Sequence, residues 1–377
     1  MGKWPLWTSL RRFARLAGKM RHMDQIDVDW DIYCRVIDNY GDAGVCYRLA
    51  CQLVARGQSV RLFIDDPTPL PWMRITQSVQ PVVLPFPAGI SPSPGVARQV
   101  ISGFGCDLPD RLLAAMVRAQ QAGHLRSWLY LEYLSAQDYA ATSHGLGSYV
   151  TAGAGAGLRR HFFFPGFTPA TGGLLREPDL PDRQHRFARA DWLAAHGVRW
   201  QGEPVYSLFC YEPPALANWL GQIGGKPGHL LVTPGRATAA VRALASSVGR
   251  QTGGVQIHEL PWLSQDDFDH LLWSSDLNLV RGEDSLVRGV WAGKAMVWQA
   301  YPQEDFAERD KLNAFLDFFM ASDDLRRFSE CWNGVSQGPL PVPDVAGWTR
   351  QTLAARQNLQ EQTDLVSRLL RFVAESR

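Results

Sequence analysis

The chain has 377 residues, 46% of them hydrophobic and 20% charged, and its formal net charge is +1. Those proportions exclude a chain that is disordered over most of its length. A near-neutral balance also gives no global field to draw the chain to nucleic acid or to an anionic membrane. At roughly 100–200 residues per domain, two domains are expected.

Residues 1–23 carry Lys3, Arg11, Arg12, Arg15, Lys19 and Arg21 and no acidic side chain. No apolar stretch follows these charges, so they do not form a secretory signal. Leu10, Phe13, Leu16 and Ala17 fall at helical spacing, which allows a short basic amphipathic anchor. The favoured reading of residues 1–26 is a leader that is disordered or precedes the true start, with Met20 and Met23 as alternative starts. No apolar run reaches about 18 residues, so no membrane-spanning helix is expected.

Val28–Ile37 is an apolar, β-branched run and reads as a strand, followed by a turn at Asp38-Asn39-Tyr40-Gly41-Asp42 and a helix over Ala43–Ala55. Strands follow at Val60–Ile64 and Val82–Leu84. Pro85–Gly95 reads as a loop, Asp110–Ala122 as a helix and Trp128–Leu134 as a strand. Arg160–Phe167 is a buried apolar segment, and the Pro- and Gly-rich stretch Thr168–Asp182 is an inter-domain connection. The alternation then restarts. Strands are expected at Val205–Tyr211, Leu230–Thr233, Val255–Leu260, Leu277–Arg281 and Ala295–Trp298. Helices are expected from Pro213 to Leu220 and over Ala237–Val248, Gln265–Trp273, Leu286–Ala292, Asp305–Met320 and Gln351–Ala374.

The result is an α/β chain with two facing Rossmann-like domains, over 27–182 and 190–348, and a C-terminal helix in 350–377 that could pack back on the first domain. Ligands of such sheets bind beyond the carboxyl ends of the strands, and the chemistry-bearing motifs fall at those turns. Asp38 follows an apolar strand and has no structural excuse for a carboxylate. Asp42 is read either as a helix cap or as functional, and Gly41 allows a substrate to approach the backbone. The spacing is Gly41-x-x-Gly44, not GxGxxG, which argues against a nicotinamide or flavin dinucleotide.

Arg281-Gly282-Glu283-Asp284-Ser285 joins a strand to a helix, whose free N–H groups suit an anion. Arg281 can clamp a diphosphate, and Asp284 or Ser285 can simply cap the helix. Phe209 and Tyr211 end one strand, and Trp262 and Phe268 flank another. These rings are either core or a base-stacking wall, with Gln265 placed to read a base edge or a phosphate. The six cysteines form no CxxC pair and no zinc-spaced cluster. They read as free thiols of a reducing cytoplasm. His161, His258 and His270 show no partner spacing and read as structural or surface residues.

Taken together, these motifs resemble the bacterial elongation factor P arginine rhamnosyltransferases. The marks are Asp38–Asp42 with Gly44 and Arg48, Leu131–Leu134, Phe162–Phe167 with Thr171–Leu174, Ser207–Glu212, Asp276–Asn278 running into Arg281–Ser285, and Trp298–Gln303. They cover the chain from about Trp30 onward. The resemblance implies a GT-B fold and an inverting transfer without metal or cofactor. It implies dTDP-β-L-rhamnose as co-substrate and an arginine of the first domain of elongation factor P as acceptor. It places the catalytic carboxylates on Asp38, Asp42 and Glu283. The donor site falls on Phe209, Tyr211, Gln265, Phe268, Arg281, Asp284, Ser285 and Tyr301. Trp262 stands where the resemblance leads one to expect Phe, and Tyr40, Gly41 and Glu283 are assigned to the donor site as well. The competing readings are a GT-B transferase with another nucleotide sugar and acceptor, and a non-catalytic nucleotide- or protein-binding module. A donor panel, or a carboxylate-free variant that keeps full cellular function, separates them.

Overall fold

The computed structural model describes residues 28–36, 41–77, 79–86, 95–248, 254–302 and 307–375. The leader over 1–26, with Asp38 and Tyr40, lies outside the described residues. The first half runs β1 (Trp30–Cys34), α1 (Gly41–Ala55), β2 (Val60–Ile64), β3 (Val82–Pro85), β4 (Gln99–Gly103), α2 (Asp110–Gln121), β5 (Ser127–Leu131), α3 (Asp138–Ser143), β6 (Gly147–Tyr149) and β7 (Arg159–Phe163). Two short helices, α4 (Leu180–Arg186) and α5 (Arg189–Ala195), lead into the second half. That half runs β8 (Val205–Leu208), α6 (Leu216–Gly224), β9 (Gly228–Val232), α7 (Arg236–Val248), β10 (Val255–Glu259), α8 (Gln265–Ser274), β11 (Leu277–Arg281), α9 (Gly282–Ala292) and β12 (Ala295–Gln299). The chain ends with α10 (Ala307–Phe318), α11 (Asp323–Trp332), α12 (Val345–Gln360) and α13 (Leu365–Glu375).

The first sheet has the order β3-β2-β1-β4-β5-β7-β6 and the second β10-β9-β8-β11-β12. All pairs are parallel except β6 with β7. The strand order reverses between β1 and β4 and again between β8 and β11, so each sheet has a crevice at that point.

Helices cover both faces of these sheets, which explains why central strands are buried throughout. In β1 even Asp31 is fully buried. It is tolerated because register sets it opposite Arg61 of β2. The guanidinium binds both carboxylate oxygens at 2.6 and 2.8 Å, and the Ala97 N–H adds a third bond at 2.9 Å.

Several expected elements shift. β4 has no counterpart among the expected strands. Gln99, Ser102 and Gly103 interrupt its apolar run, and pairing with β1 and β5 on either side makes it a strand. The helix expected from Leu286 begins four residues earlier, at Gly282. The apolar pattern starts only at Leu286, but Glu283 and Asp284 suit the positive end of the helix dipole.

The single helix expected over Gln351–Ala374 is two. Arg176 donates to the carbonyls of Leu359, Gln360 and Gln362 at 2.9–3.2 Å and so terminates α12. The Leu365 N–H then bonds the Leu174 carbonyl at 2.9 Å. α12 contributes Trp348, Ala355 and Leu359 to the core of the C-terminal lobe. α13 buries Leu365, Val366, Leu369 and Val373 in the N-terminal lobe's core cluster, which also holds residues of β1, β2 and α1.

Candidate active site

The carboxyl ends of both sheets face one cleft of about 450 Å³. From the N-terminal lobe it is lined by the start of α1, with Gly41, Asp42, Gly44 and Arg48, by Phe104 after β4 and by Tyr133 after β5. From the C-terminal lobe it is lined by the ends of β8, β9, β11 and β12 and by the start of α8. Thus Asp42, Phe209, Tyr211, Trp262, Gln265, Phe268, Arg281, Glu283, Asp284, Ser285 and Tyr301, drawn from across the sequence, share a single cavity. Asp38 and Tyr40 lie outside the described residues.

Asp42 falls in the first turn of α1, which begins at Gly41, and is buried. The lobes touch at several points around the cleft. The Leu134 N–H donates to Glu283 Oε2 at 2.7 Å, Gln265 Nε2 donates to the Gly44 carbonyl at 2.9 Å, and the Thr76 N–H donates to Asp266 Oδ2 at 2.7 Å. Gly44 permits that approach, since a Cβ there would lie 3.3 Å from Gln265 Nε2. Gln265 therefore bridges the lobes, and its buried Oε1 has no hydrogen-bond partner among the described residues.

Two of the rings at the strand ends face a cation of the same lobe. The Arg281 guanidinium carbon sits 4.5 Å from the Phe209 ring centre and 4.4 Å from that of Tyr211. Two rings thus hold a cation in place. Behind them Phe268 meets Phe209 edge-on at 5.3 Å, and Tyr301 meets Tyr211 edge-on at 5.5 Å. Trp262 is half exposed and packs against Trp72 of the opposite lobe at 5.0 Å.

Ser285 lies one turn inside α9 rather than at its cap. Its Oγ accepts from the Arg281 N–H at 3.1 Å and donates to the Arg281 carbonyl. Gly282 precedes it at φ +67°, a left-handed conformation that favours glycine. Arg281 itself is the cap residue and makes no side-chain capping bond.

Beneath the cleft lies a buried ion cluster. Glu177, in the connection between the lobes, bonds Arg48 of α1 and Arg288 of α9, each at 2.8 Å. Burial opposes ionisation of Glu177, but Arg288 and Arg48 outweigh it and hold its carboxyl well below the usual range. Arg288 also grips both oxygens of Asp269, at 2.7 and 2.5 Å. Asp284, partly open to the cleft, is 3.6 Å from Arg48. Its carboxyl is raised by burial, against the pull of Arg48 and Arg288.

Site residues missed in the sequence include Trp72, Phe104, Lys311 and Arg236, all of which line the cleft. Phe104 has φ +52°, unusual for a bulky side chain, and stacks on Tyr133 at 5.0 Å. Its signal was the Gly103-Phe104-Gly105 break after an apolar run. Lys311 Nζ lies 5.7 Å over the Tyr133 ring, and nothing in the local sequence marks it. His258 has a partner after all: its Nε2 lies 3.1 Å from Nδ1 of His229 on the neighbouring strand. Among the described residues no group of three His, Cys, Asp or Glu could hold a metal ion. No described helix is long and apolar enough to cross a membrane.

Residues 30–374 match the family model described as elongation factor P (EF-P) rhamnosyltransferase EarP. The chain is 39% identical over 383 residues to the protein-arginine rhamnosyltransferase of Pseudomonas aeruginosa, covering 92% of this chain and 99% of that one. It is 45% identical over 320 residues to the Pseudomonas putida protein of the same name, covering 78% and 83%. A solved structure, reported as the structural basis for EarP-mediated arginine glycosylation of translation elongation factor EF-P, superposes with a TM-score of 0.62. It is 31% identical and covers 93% of this chain and 99% of that one.

Proposed function

The chain belongs to the EF-P rhamnosyltransferase family, and from that premise we propose that it transfers L-rhamnose from dTDP-β-L-rhamnose to an arginine of EF-P within the interlobe cleft. It is a glycosyltransferase with a GT-B-like fold of two facing Rossmann-like sheets. The observation that supports the cleft as the reaction site is the meeting of Asp42 from one lobe with Arg281–Ser285 from the other in one cavity.

The acceptor guanidinium is protonated and a poor nucleophile. Asp38 and Asp42 are assigned to grip it in fork geometry, with Asp38 as base or positioner of the attacking nitrogen. Glu283 faces the same space and adds negative charge as the anomeric carbon becomes oxocarbenium-like. Attack opposite the departing nucleotide inverts that carbon. Charge developing on the leaving diphosphate meets Arg281 and the N–H groups that open α9. Arg281 is braced by Phe209 and Tyr211, so little reorganisation is needed at that moment. Arg236, 5.4 Å from the Tyr211 ring centre, supplies a second cation at the cleft. The nucleobase is assigned to the wall containing Trp262 and Phe268, and the arginine to the first domain of EF-P. The setting is cytoplasmic, and the transfer needs neither cofactor nor metal.

The test is intact-mass spectrometry of purified EF-P incubated with this protein and dTDP-β-L-rhamnose. A gain of one deoxyhexose on an arginine, abolished by Asp38→Ala, supports the reading. An unchanged mass with dTDP still bound would overturn the acceptor assignment.

A further inference from the structure

Arg48 reaches across the molecule from α1 and is fully buried. Nη1 binds Glu177 at 2.8 Å and lies 3.8 Å from Asp269. Its Nε and Nη2 are buried with no hydrogen-bond partner among the described residues. Nε is nevertheless only 3.6 Å from Asp284 Oδ1, just beyond hydrogen-bond reach.

The rest of the cluster is satisfied by other arginines. Arg288 holds Asp269 through two bonds and shares Glu177. Arg183 is 3.5 Å from Glu177 and 3.1 Å from Asp266. Asp284 is the exception: among the described residues Arg48 is the one cation within ion-pair distance of it. Asp284 opens into the cleft, whereas Arg48 belongs to the opposite lobe.

We propose that Arg48 is a positioning residue for the donor site, holding Asp284 as an ionised acceptor for a sugar or ribose hydroxyl only while the two lobes are docked. This rests on the reading of the cleft as a nucleotide-sugar site. Nε is an unused donor, buried and 3.6 Å from Asp284, the carboxylate of this cluster that lines the cleft, and a small closing motion there makes a new bond. Donor binding and lobe docking thereby become one event, which limits hydrolysis of a donor bound without its acceptor.

The charged groups acting on Asp284 come from every packed element: Arg48 of α1, Arg288 of its own helix, Asp269 of α8 and Glu177 of the connection. Removing Arg48 subtracts a favourable charge and leaves the two carboxylates. The Asp284 carboxyl then moves further up, and the acid limb of donor binding moves to higher pH.

The experiment compares wild type with Arg48→Met and Arg48→Lys. It measures dTDP-β-L-rhamnose affinity across pH, KM for EF-P and thermal stability. Arg48→Met is expected to weaken donor binding at least about tenfold at neutral pH, shift its acid limb upward and leave KM for EF-P nearly unchanged. Arg48→Lys should return the limb toward its original position. An unmoved acid limb in folded Arg48→Met overturns the inference. So does equal loss of donor affinity, acceptor affinity and stability that lysine does not rescue, since that pattern is purely structural. Wild-type protein that binds no donor would overturn the functional reading and the inference together, whereas the variant outcomes bear on the inference alone.

Discussion

Glu283 Oε2 in the C-terminal lobe accepts a 2.7 Å hydrogen bond from the Leu134 N–H in the N-terminal lobe. One carboxylate therefore both faces the proposed reaction centre and ties the lobes together. A substitution there mixes two effects unless it is chosen to separate them.

Glu283→Gln keeps an oxygen for Leu134 and removes the charge. Turnover should fall about 100-fold while dTDP affinity changes little, as read by single-turnover transfer and by calorimetry. Glu283→Ala should lose donor affinity as well. Equal behaviour of the two variants would assign the whole effect to the interlobe bond.

Asp42→Asn preserves size and the first turn of α1. It should lower single-turnover transfer about 10²–10⁴-fold with donor binding retained. A variant with normal turnover would return Asp42 to the role of helix-terminus carboxylate.

Trp72 and Trp262 close the cleft from opposite lobes, with ring centres 5.0 Å apart. Trp262→Ala should weaken dTDP binding by ~1–3 kcal/mol. Trp72→Ala should weaken it less, because Trp72 acts through its neighbour. Tryptophan fluorescence should respond to dTDP in wild type, and that response should diminish in both variants. Undiminished quenching would place the base elsewhere.

Arg61→Met leaves Asp31 buried without its cation and should destabilise the fold by ~3–5 kcal/mol in denaturant titration at neutral pH. Burial already raises the Asp31 carboxyl above its ordinary value, with Arg61 pulling it down. Without Arg61 it rises further. The folded variant then holds a proton that the unfolded chain releases, so its deficit should shrink as pH falls through that raised pKa. A deficit that grows on acidification would contradict the assignment. Asp31→Asn in the same background should recover part of the loss.

Much of the site could be read in advance because its residues cluster at strand–helix turns. Leu277–Arg281 ends where periodicity says it should, and the charged turn after it lines the cleft. Phe209, Trp262 and Phe268 were placed at strand ends by the same reasoning. Their division of labour was not visible. That Phe209 and Tyr211 grip Arg281, and that Gln265 binds the Gly44 carbonyl, depends on contacts between segments far apart in the chain.

Local pattern specified which stretches are strands or helices, and which turns carry carboxylates and arginines, because hydrophobic period and turn chemistry act over a few residues. Motif resemblance added the family. Packing decided the rest. β4 exists because β1 and β5 flank it. The last helical stretch breaks because Arg176 takes the carbonyls that end α12. Arg48 meets Asp284 because two sheets dock face to face. None of these contacts has a local signature, since each depends on burial and charge that arise only when distant surfaces are brought together.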